Sequence, residues 1–542
     1  MELYAKNNES SVFWPEPLES TWQLLGGERA SALAPKLPHL GLADILFMSA
    51  VMSLPRARRP WGIITWLAKV FLVSRPGLYA LTKRVRDRLL PAEAPPMLLP
   101  EVGAPVTVTS TRLARTILTA NFPGKMAIRP TQQLLSEAFD QSRSVGWLSQ
   151  LLTAAGEQAG QVLASVDTSP LEAVIVARDE TFFHGQPLLL VIEPVSRTIL
   201  LAVVAPDRQA ETWAIALLMS QEQGATFKGI VEDMARMYPK SQKEIGLNLE
   251  VQKDVWHIER DGAQVRRDLE RAAFRATKRL LKLEKKLLQQ WDDTLFEQHY
   301  IPAVAKEERL YQQHDAFDEW LGHLYDALET VDWRSGEIRD RTINEWLLEE
   351  TLTAMGQIDH PRVKKWVKTL RRHQTQLLTS LDWLAASLIP YRQKLESYLE
   401  SPADPAAFLH IVARCWRLRQ ALINGHRSFR DEAELAEWFL QELLADDAHL
   451  QELADRLWAL LDAACRTSSL IENINGLLKP FLHAHRAFRN QETLQSFLNL
   501  FTLWHNMRVF QRGKHQGKSP YQLAGIDPCS DDWLALLGYP AE

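Results

Sequence analysis

The sequence is poor in cysteine. Only Cys415, Cys465 and Cys529 occur in 542 residues, far apart and without a CxxC pair. That pattern excludes a disulfide framework and a cysteine-built zinc site, and it suits a reducing, cytoplasmic compartment. Long hydrophobic runs are also missing. One of the longest, GLADILFMSAVMSL (residues 41–54), is 14 residues and carries Asp44, whereas a membrane-spanning helix needs about 20 apolar residues. The polar opening MELYAKNNESS is unlike a secretory signal. No glycine-rich phosphate loop is present, so nucleotide hydrolysis is not expected. Nor is there an overall excess of positive charge. With 62 Lys and Arg against 67 Asp and Glu, the net value is −5. A uniformly basic nucleic-acid binder is thereby excluded, but a net value hides local fields.

What is present is a globular chain, 46% hydrophobic and 24% charged, long enough for several domains with proper cores. Residues 1–90 read as a helical region. A proline-rich linker follows at 91–109, with PAEAPPMLLPEVGAP at its centre, and 110–165 is helical again. From Leu171 the texture turns to short branched-apolar runs separated by turn residues: LEAVIVARDETFF, PLLLVIEP, TILLAVVA. A helix, the strand FKGIVED, a second helix and LEVQKDVWH as a last strand complete the order β-β-β-α-β-α-β over 166–261. That order is a compact α/β unit with a mixed sheet. Residues 262–465 are purely helical, a large all-α insertion. Residues 466–542 hold a helix around Glu472, a last helix TLQSFLNLFTLWHNMR, and a basic tail.

Charge is locally uneven. Residues 55–90 contain nine Arg or Lys (Arg56, Arg58, Arg59, Lys69, Arg75, Lys83, Arg84, Arg86, Arg88) against the single acid Asp87, a local +8. The same stretch divides into helix, short turn and helix, a form that can enter a DNA groove while its flanks neutralise phosphates. Residues 128–159 repeat the helix pair with little charge. A second basic band near the C-terminus includes Arg486, Arg489, Arg508, Lys514 and Lys518, with Glu492 the only acid between 479 and 518. Phosphate binding competes there with an ordinary solvated face.

Three acids stand in informative contexts. Asp179 ends the first strand reading, Asp233 ends the fourth, and Glu472 lies in the apolar helix SSLIENINGLLKPF. At helical spacing the neighbours of Glu472 are Ser468, Ser469, Asn475 and Gly476, a stripe of small polar residues that leaves its carboxylate an open approach. Two strand-end aspartates and a glutamate make a set of hard oxygen donors suited to Mg²⁺. Two such ions about 4 Å apart stabilise the attacking and leaving oxygens of a phosphodiester displacement. His257 and its possible partner Asp254 lie close by in sequence, with an ordinary structural hydrogen bond as the competing reading.

These residues resemble a family. VIVARDETFF with Asp179, GIVEDMARMYP with Asp233 and SSLIENINGLLKPF with Glu472 are similar to the DDE transposases and integrases of the RNase H-like superfamily. Asp254-Val255-Trp256-His257 is similar to the Cys/Asp-x-x-His signature found after the second Asp in several of these families. The tail NLFTLWHNMRVFQRGKHQGKSPYQL resembles the segment after the catalytic Glu in bacterial insertion-sequence transposases. Asp179 and Asp233 are 54 residues apart, and Asp233 and Glu472 are 239 apart. The second spacing departs from the compact integrases, and the helical block accounts for it as an insertion.

The resemblance implies an α/β RNase H-like core interrupted by an all-α insertion and preceded by helix-turn-helix DNA-binding segments. It further implies that Asp179, Asp233 and Glu472 hold two Mg²⁺, with Mn²⁺ able to substitute. The implied activity is DNA cleavage followed by strand transfer. The implied partners are double-stranded DNA, as terminal inverted repeats and target, and further copies of the chain; no membrane is involved. His257, Arg508, Lys514 and Lys518 join the N-terminal basic residues as DNA contacts, and the implied location is a bacterial cytoplasm at the nucleoid. A non-catalytic DNA-binding descendant, and a nuclease of the same core without strand transfer, stay open as alternatives.

Overall fold

The computed structural model describes residues 40–54, 59, 62–89, 107–399, 403–445, 447–464, 466–485 and 487–541. Residues 91–105 of the linker, Arg56, Arg58, Cys465 and Arg486 lie outside the described residues, as does the side chain of Arg88. The chain divides into two compact units, residues 1–107 and 108–542.

In the first unit, α1 (Leu42–Ser53), α2 (Ile63–Val70) and α3 (Arg75–Leu89) surround a small core that includes Ile45, Met48, Leu67, Leu78 and Val85. Gly62, with φ of 78°, caps the start of α2 in a left-handed conformation that glycine adopts without strain.

The second unit opens with α4 (Ser110–Asn121), α5 (Ile128–Phe139) and α6 (Val145–Ser165). A five-stranded sheet follows: β1 (Val174–Phe183), β2 (Gln186–Glu193), β3 (Thr198–Val204), β4 (Phe227–Glu232) and β5 (Glu250–Lys253). Its spatial order is β3-β2-β1-β4-β5. The hairpins β1–β2 and β2–β3 are antiparallel, while β1–β4 and β4–β5 are parallel. The run Leu188–Ile192 is buried throughout because the middle of the sheet is covered on both faces. On one face α7 (Ala210–Met219) and α8 (Met237–Glu244) pack through Trp213, Leu217 and Tyr238. On the other lie α6, α17 (Ser469–His485) and α18 (Gln491–Met507), through residues such as Ile471, Leu478, Leu498 and Phe501.

Between β5 and α17 the chain leaves for a helical insertion. The 35-residue α9 (Val255–Gln289) pairs with α10 (Ile301–Ala327), and α11 (Arg341–Gln357) and α12 (Pro361–His373) complete one apolar core with them. A second core is built by α13 (Thr379–Tyr398), α14 (Ala403–Ile423), α15 (Arg430–Leu444) and α16 (Ala448–Ala463). Short helices α19 (Pro520–Ala524) and α20 (Trp533–Leu536) end the chain. The insertion begins earlier than the periodicity suggests. Asp254 accepts a hydrogen bond from the Trp256 N–H at 2.8 Å and caps α9, so the stretch read as the strand LEVQKDVWH ends at Lys253.

Both sheet edges are covered by polar side chains, which blocks pairing with another strand. At β3, Gln495 accepts from Val204 N–H (2.8 Å) and donates to Ala202 O (3.1 Å); Asn506 does the same for Ile199 N–H and O, each at 2.9 Å. At β5, Thr379 donates to Val251 O (2.8 Å), and Gln252 bridges Leu377 O and Ser380 N–H. Beside these bonds Trp383 lies against β4 so closely that a Cβ on Gly229 would stand 2.4 Å from its ring. Among the described residues no helix is long and apolar enough to cross a membrane. Gly229→Ala should cost about 1–3 kcal/mol in urea unfolding through overpacking; an unchanged midpoint would mean that Trp383 does not dock here.

Candidate functional site

Asp179 lies within β1, not at its end. The parallel β1–β4 ladder stops at Ala177–Val231, while β1 continues against β2, pairing Asp179 with Leu190. Asp179 is therefore past the last β4 partner, where the sheet opens on that side. Asp233 follows immediately after Glu232, the last residue of β4. α17 packs on β1 and brings Glu472 to the same place. Its Asn475 donates to the Asp179 carboxylate at 3.2 Å. All three acids are half-buried.

Neighbouring carboxylates act on Asp179. Burial first, then the charges of Glu472, Glu180 and Asp233, push the Asp179 carboxyl up to about 7. Burial likewise raises Asp233. The Ala235 N–H, donating at 2.7 Å, opposes that rise, as do the charges of His257 and Lys253, while Glu180 adds to it. Among the described residues no three His, Cys, Asp or Glu side chains are already drawn together as a metal cage. The donors are hard oxygens, and the charges of Glu472 and Asp233 both act on Asp179, a chemistry that fits a divalent cation. Asn475 adds to this: it is buried, and its Oδ1 has no partner.

A fully buried ion network lies on the opposite face of the sheet. Glu232 accepts from Arg178 Nε at 3.0 Å and from Lys253 Nζ at 2.7 Å, and Lys253 also donates to the Asp233 carbonyl at 2.9 Å. Arg178 further donates to Ser241 Oγ (2.9 Å) and Tyr238 O (3.0 Å), with its guanidinium 4.2 Å from the Tyr238 ring centre. Glu180 is tied to Tyr238 Oη at 2.8 Å and Arg208 at 2.9 Å. This network fixes the ends of β1 and β4 and hence the backbone at both aspartates. Sequence reasoning missed it, although Arg178 and Glu180 flank Asp179 and Glu232 precedes Asp233.

His257 meets Asp254 at 2.6 Å, and Ser468 Oγ donates to the same carboxylate. Burial lowers the imidazole, but the hydrogen bond and charge of Asp254 outweigh that and leave it above its ordinary value. Asp254 therefore holds His257 beside Asp233, which also acts on its charge.

The expected DNA contacts fall in both units. In the first unit Lys69, Lys83, Arg84 and Arg86 are exposed, Arg75 donates to Thr65 Oγ1 at 2.7 Å across the two helices, and Arg59 donates to Leu54 O at 2.7 Å. In the second, Lys514 pairs with Asp462 at 2.6 Å, Lys518 is exposed, and Arg508 is half-buried against Trp504 and Phe510.

A carboxyl at about 7 in the folded chain, against 3.8 for the free group, binds protons more tightly folded than unfolded. Its contribution to stability is fully present below about pH 4 and is lost as pH rises towards 7. In buffer containing EDTA, Asp179→Asn should remove that loss and leave the variant more stable than the parent at pH 8, by a few kcal/mol at most. Urea midpoints at pH 5 and pH 8 measure it. An identical pH slope in the two proteins would contradict the buried, crowded carboxyl.

No protein-family model matches the chain, and no curated protein does. Among solved structures, the Drosophila P element transposase strand transfer complex is similar at 13% identity over 69% of this chain and 95% of that chain. The TM-score is 0.26, too low a likeness to assign a fold or a role.

Proposed function

We propose that the protein is a DNA transposase with an RNase H-like core that cuts DNA at element ends and joins it to a target. The carrying observation is geometric: Asp179 lies on β1 just past its last β4 partner, Asp233 follows the last residue of the neighbouring β4, and α17, the helix that carries Glu472 back from the insertion, donates from Asn475 to the Asp179 carboxylate. The strand order β3-β2-β1-β4-β5, with its antiparallel half and parallel half, supports the same reading.

Asp179, Asp233 and Glu472 would hold two Mg²⁺, which when bound supply charge stabilisation at the reacting phosphate and activation of the attacking oxygen. The chain's own part is positional. The Arg178–Glu232–Lys253 network holds both aspartates on a rigid backbone, and Asp254 orients His257 beside Asp233. Preorganisation of this kind removes reorganisation from the reaction step. The basic helices α2 and α3 contact DNA in a helix-turn-helix manner, and a dimer or larger assembly brings two ends together.

The purified protein is incubated with duplex carrying its own flanking sequence, Mg²⁺ and a target plasmid. Cleavage and joined products are expected. Asp179→Asn, Asp233→Asn and Glu472→Gln should each lower cleavage by about 10²–10³-fold or more and leave duplex binding unchanged. Mg²⁺ at a hundred times its dissociation constant should stabilise the parent by about 2.7 kcal/mol and Asp179→Asn far less. Cutting without joining would point to a nuclease; duplex binding with no cutting would point to a non-catalytic protein.

A further inference from the structure

At the other end of the sheet two guanidinium groups lie against one aromatic ring. Arg197 lies in the β2–β3 turn. Because Asp179 pairs with Leu190, and the turn follows Glu193, this turn sits ~10–15 Å along the strand from Asp179. Arg508 follows the last turn of α18. The Arg197 guanidinium lies 5.4 Å from the Phe510 ring centre and the Arg508 guanidinium 5.6 Å from the same centre; Arg508 is also 5.3 Å from Trp504. Among the described residues neither makes an ion pair or a side-chain hydrogen bond, and Arg508 Nε is buried without a partner.

The site is rigidly built. Arg197 has φ of 66°, a left-handed conformation that costs a non-glycine residue roughly 1 kcal/mol or more. It is held there from both sides. Glu193 accepts from the N–H groups of Val195 (2.8 Å) and Ser196 (2.6 Å), and His505 Nε2 donates to the Arg197 carbonyl at 3.0 Å. Asn506, next to His505, clamps Ile199. The loop after Arg508 is closed by Phe510 N–H to Lys518 O and Gly517 N–H to Phe510 O, each at 2.9 Å. It carries Arg512 and Lys518 exposed.

The local field is positive. Burial lowers Arg197, and burial together with Arg197 lowers Arg508 to about 10. Burial and the two arginines hold His505 down at about 3, so it stays neutral. Asp462, the acid that acts on nearby His515, is already engaged by Lys514. The C-terminal end of α18 offers a cation only about half a unit of negative charge, too little for two.

We propose that Arg197 and Arg508, converging on the ring of Phe510, form a phosphate-group site with Lys518 as its outer arm, and that the phosphate it takes is a backbone phosphodiester. A guanidinium presents paired N–H donors that match two phosphate oxygens, which a lysine cannot do. An anion there offsets the repulsion of two poorly solvated cations. The identity of the phosphate's owner rests on the DNA reading above; the site itself does not.

The test compares the full chain with Arg197→Gln, Arg508→Gln and the double variant, with Arg508→Lys as a charge-retaining control. The probes are a fluorescent 30-bp duplex and inorganic pyrophosphate. The double variant should bind the duplex about tenfold more weakly at 0.1 M salt. The slope of log affinity against log salt should become shallower by about 0.9 for each phosphate that is no longer neutralised. Arg508→Lys should keep the slope but not the full affinity. Without an anion the glutamine variants should melt no lower than the parent, because removing a like charge relieves repulsion. Pyrophosphate should raise the melting point of the parent more than that of the double variant. Equal duplex affinity and slope in parent and double variant would overturn the duplex assignment, while Mg²⁺-dependent cutting by the parent would leave the transposase reading standing. Stabilisation of the parent by pyrophosphate with no duplex binding would support the phosphate site and remove the DNA reading. No response to either probe would overturn both.

Discussion

Two hydrogen bonds decide where Glu472 stands. The Val255 N–H donates to the Arg466 carbonyl at 3.0 Å, and Ser468 Oγ donates to Asp254. The insertion thus leaves the sheet at the start of α9 and returns before α17 at one point, although the two positions are 211 apart in sequence. Arg466 strengthens the closure by donating to Leu328 O at 2.8 Å and pairing with Glu329 at 2.9 Å. Closing a long flexible loop costs entropy that grows only logarithmically with length. Here the loop is filled with two helical cores of its own, so its ends are set by packing. A separation of 239 residues between Asp233 and Glu472 is therefore compatible with a short spatial separation.

The insertion does more than span that gap. Through Trp383, Thr379 and the partners of Gln252 it covers the β5 edge, while Gln495 and Asn506 of α18 cover the β3 edge. Segments far downstream in sequence thus supply what a bare five-stranded sheet lacks at its borders. The charged network of Arg178, Glu232 and Lys253 adds a different constraint. Removing one partner of such a buried set costs about 3–5 kcal/mol, because the remaining charge has no water to turn to. That penalty holds β1, β4 and β5 in register beside the two aspartates.

Much of this was legible in the chain. The short branched-apolar runs gave the order of strands and helices along the chain, and of the small polar stripe beside Glu472, Asn475 is buried and reaches Asp179, Ser468 reaches Asp254 and Gly476 stays exposed. The basic stretch 55–90 gave two helices joined by a short turn. What sequence patterns could not carry was depth along a strand. Asp179 reads as a strand end because polar residues follow it, yet Glu180 is held by Tyr238 and Arg208, so β1 runs on to Phe183. Asp254 reads as strand because Val255 and Trp256 after it are strand formers, and only its capping bond reveals a helix start. Arg197 looks like an ordinary turn residue in PVSRT. Its significance comes from Arg508 and Phe510, more than three hundred positions away, and no local pattern joins them.

The two ends of the sheet carry opposite fields, which the net charge of −5 conceals. At one end the carboxylates of Asp179, Asp233 and Glu472 repel any phosphate in the absence of a cation. At the other, Arg197 and Arg508 attract one. A polyanionic ligand cannot then be held by the acidic end; its affinity has to come from positive groups away from the reacting atoms. Binding energy gained remotely can be used to force charge together where the chemistry occurs. In this molecule the distance between the two fields is set by the rigid length of β1 and β2, so a ligand long enough to lie on both ends is oriented by them. A single free phosphate is not.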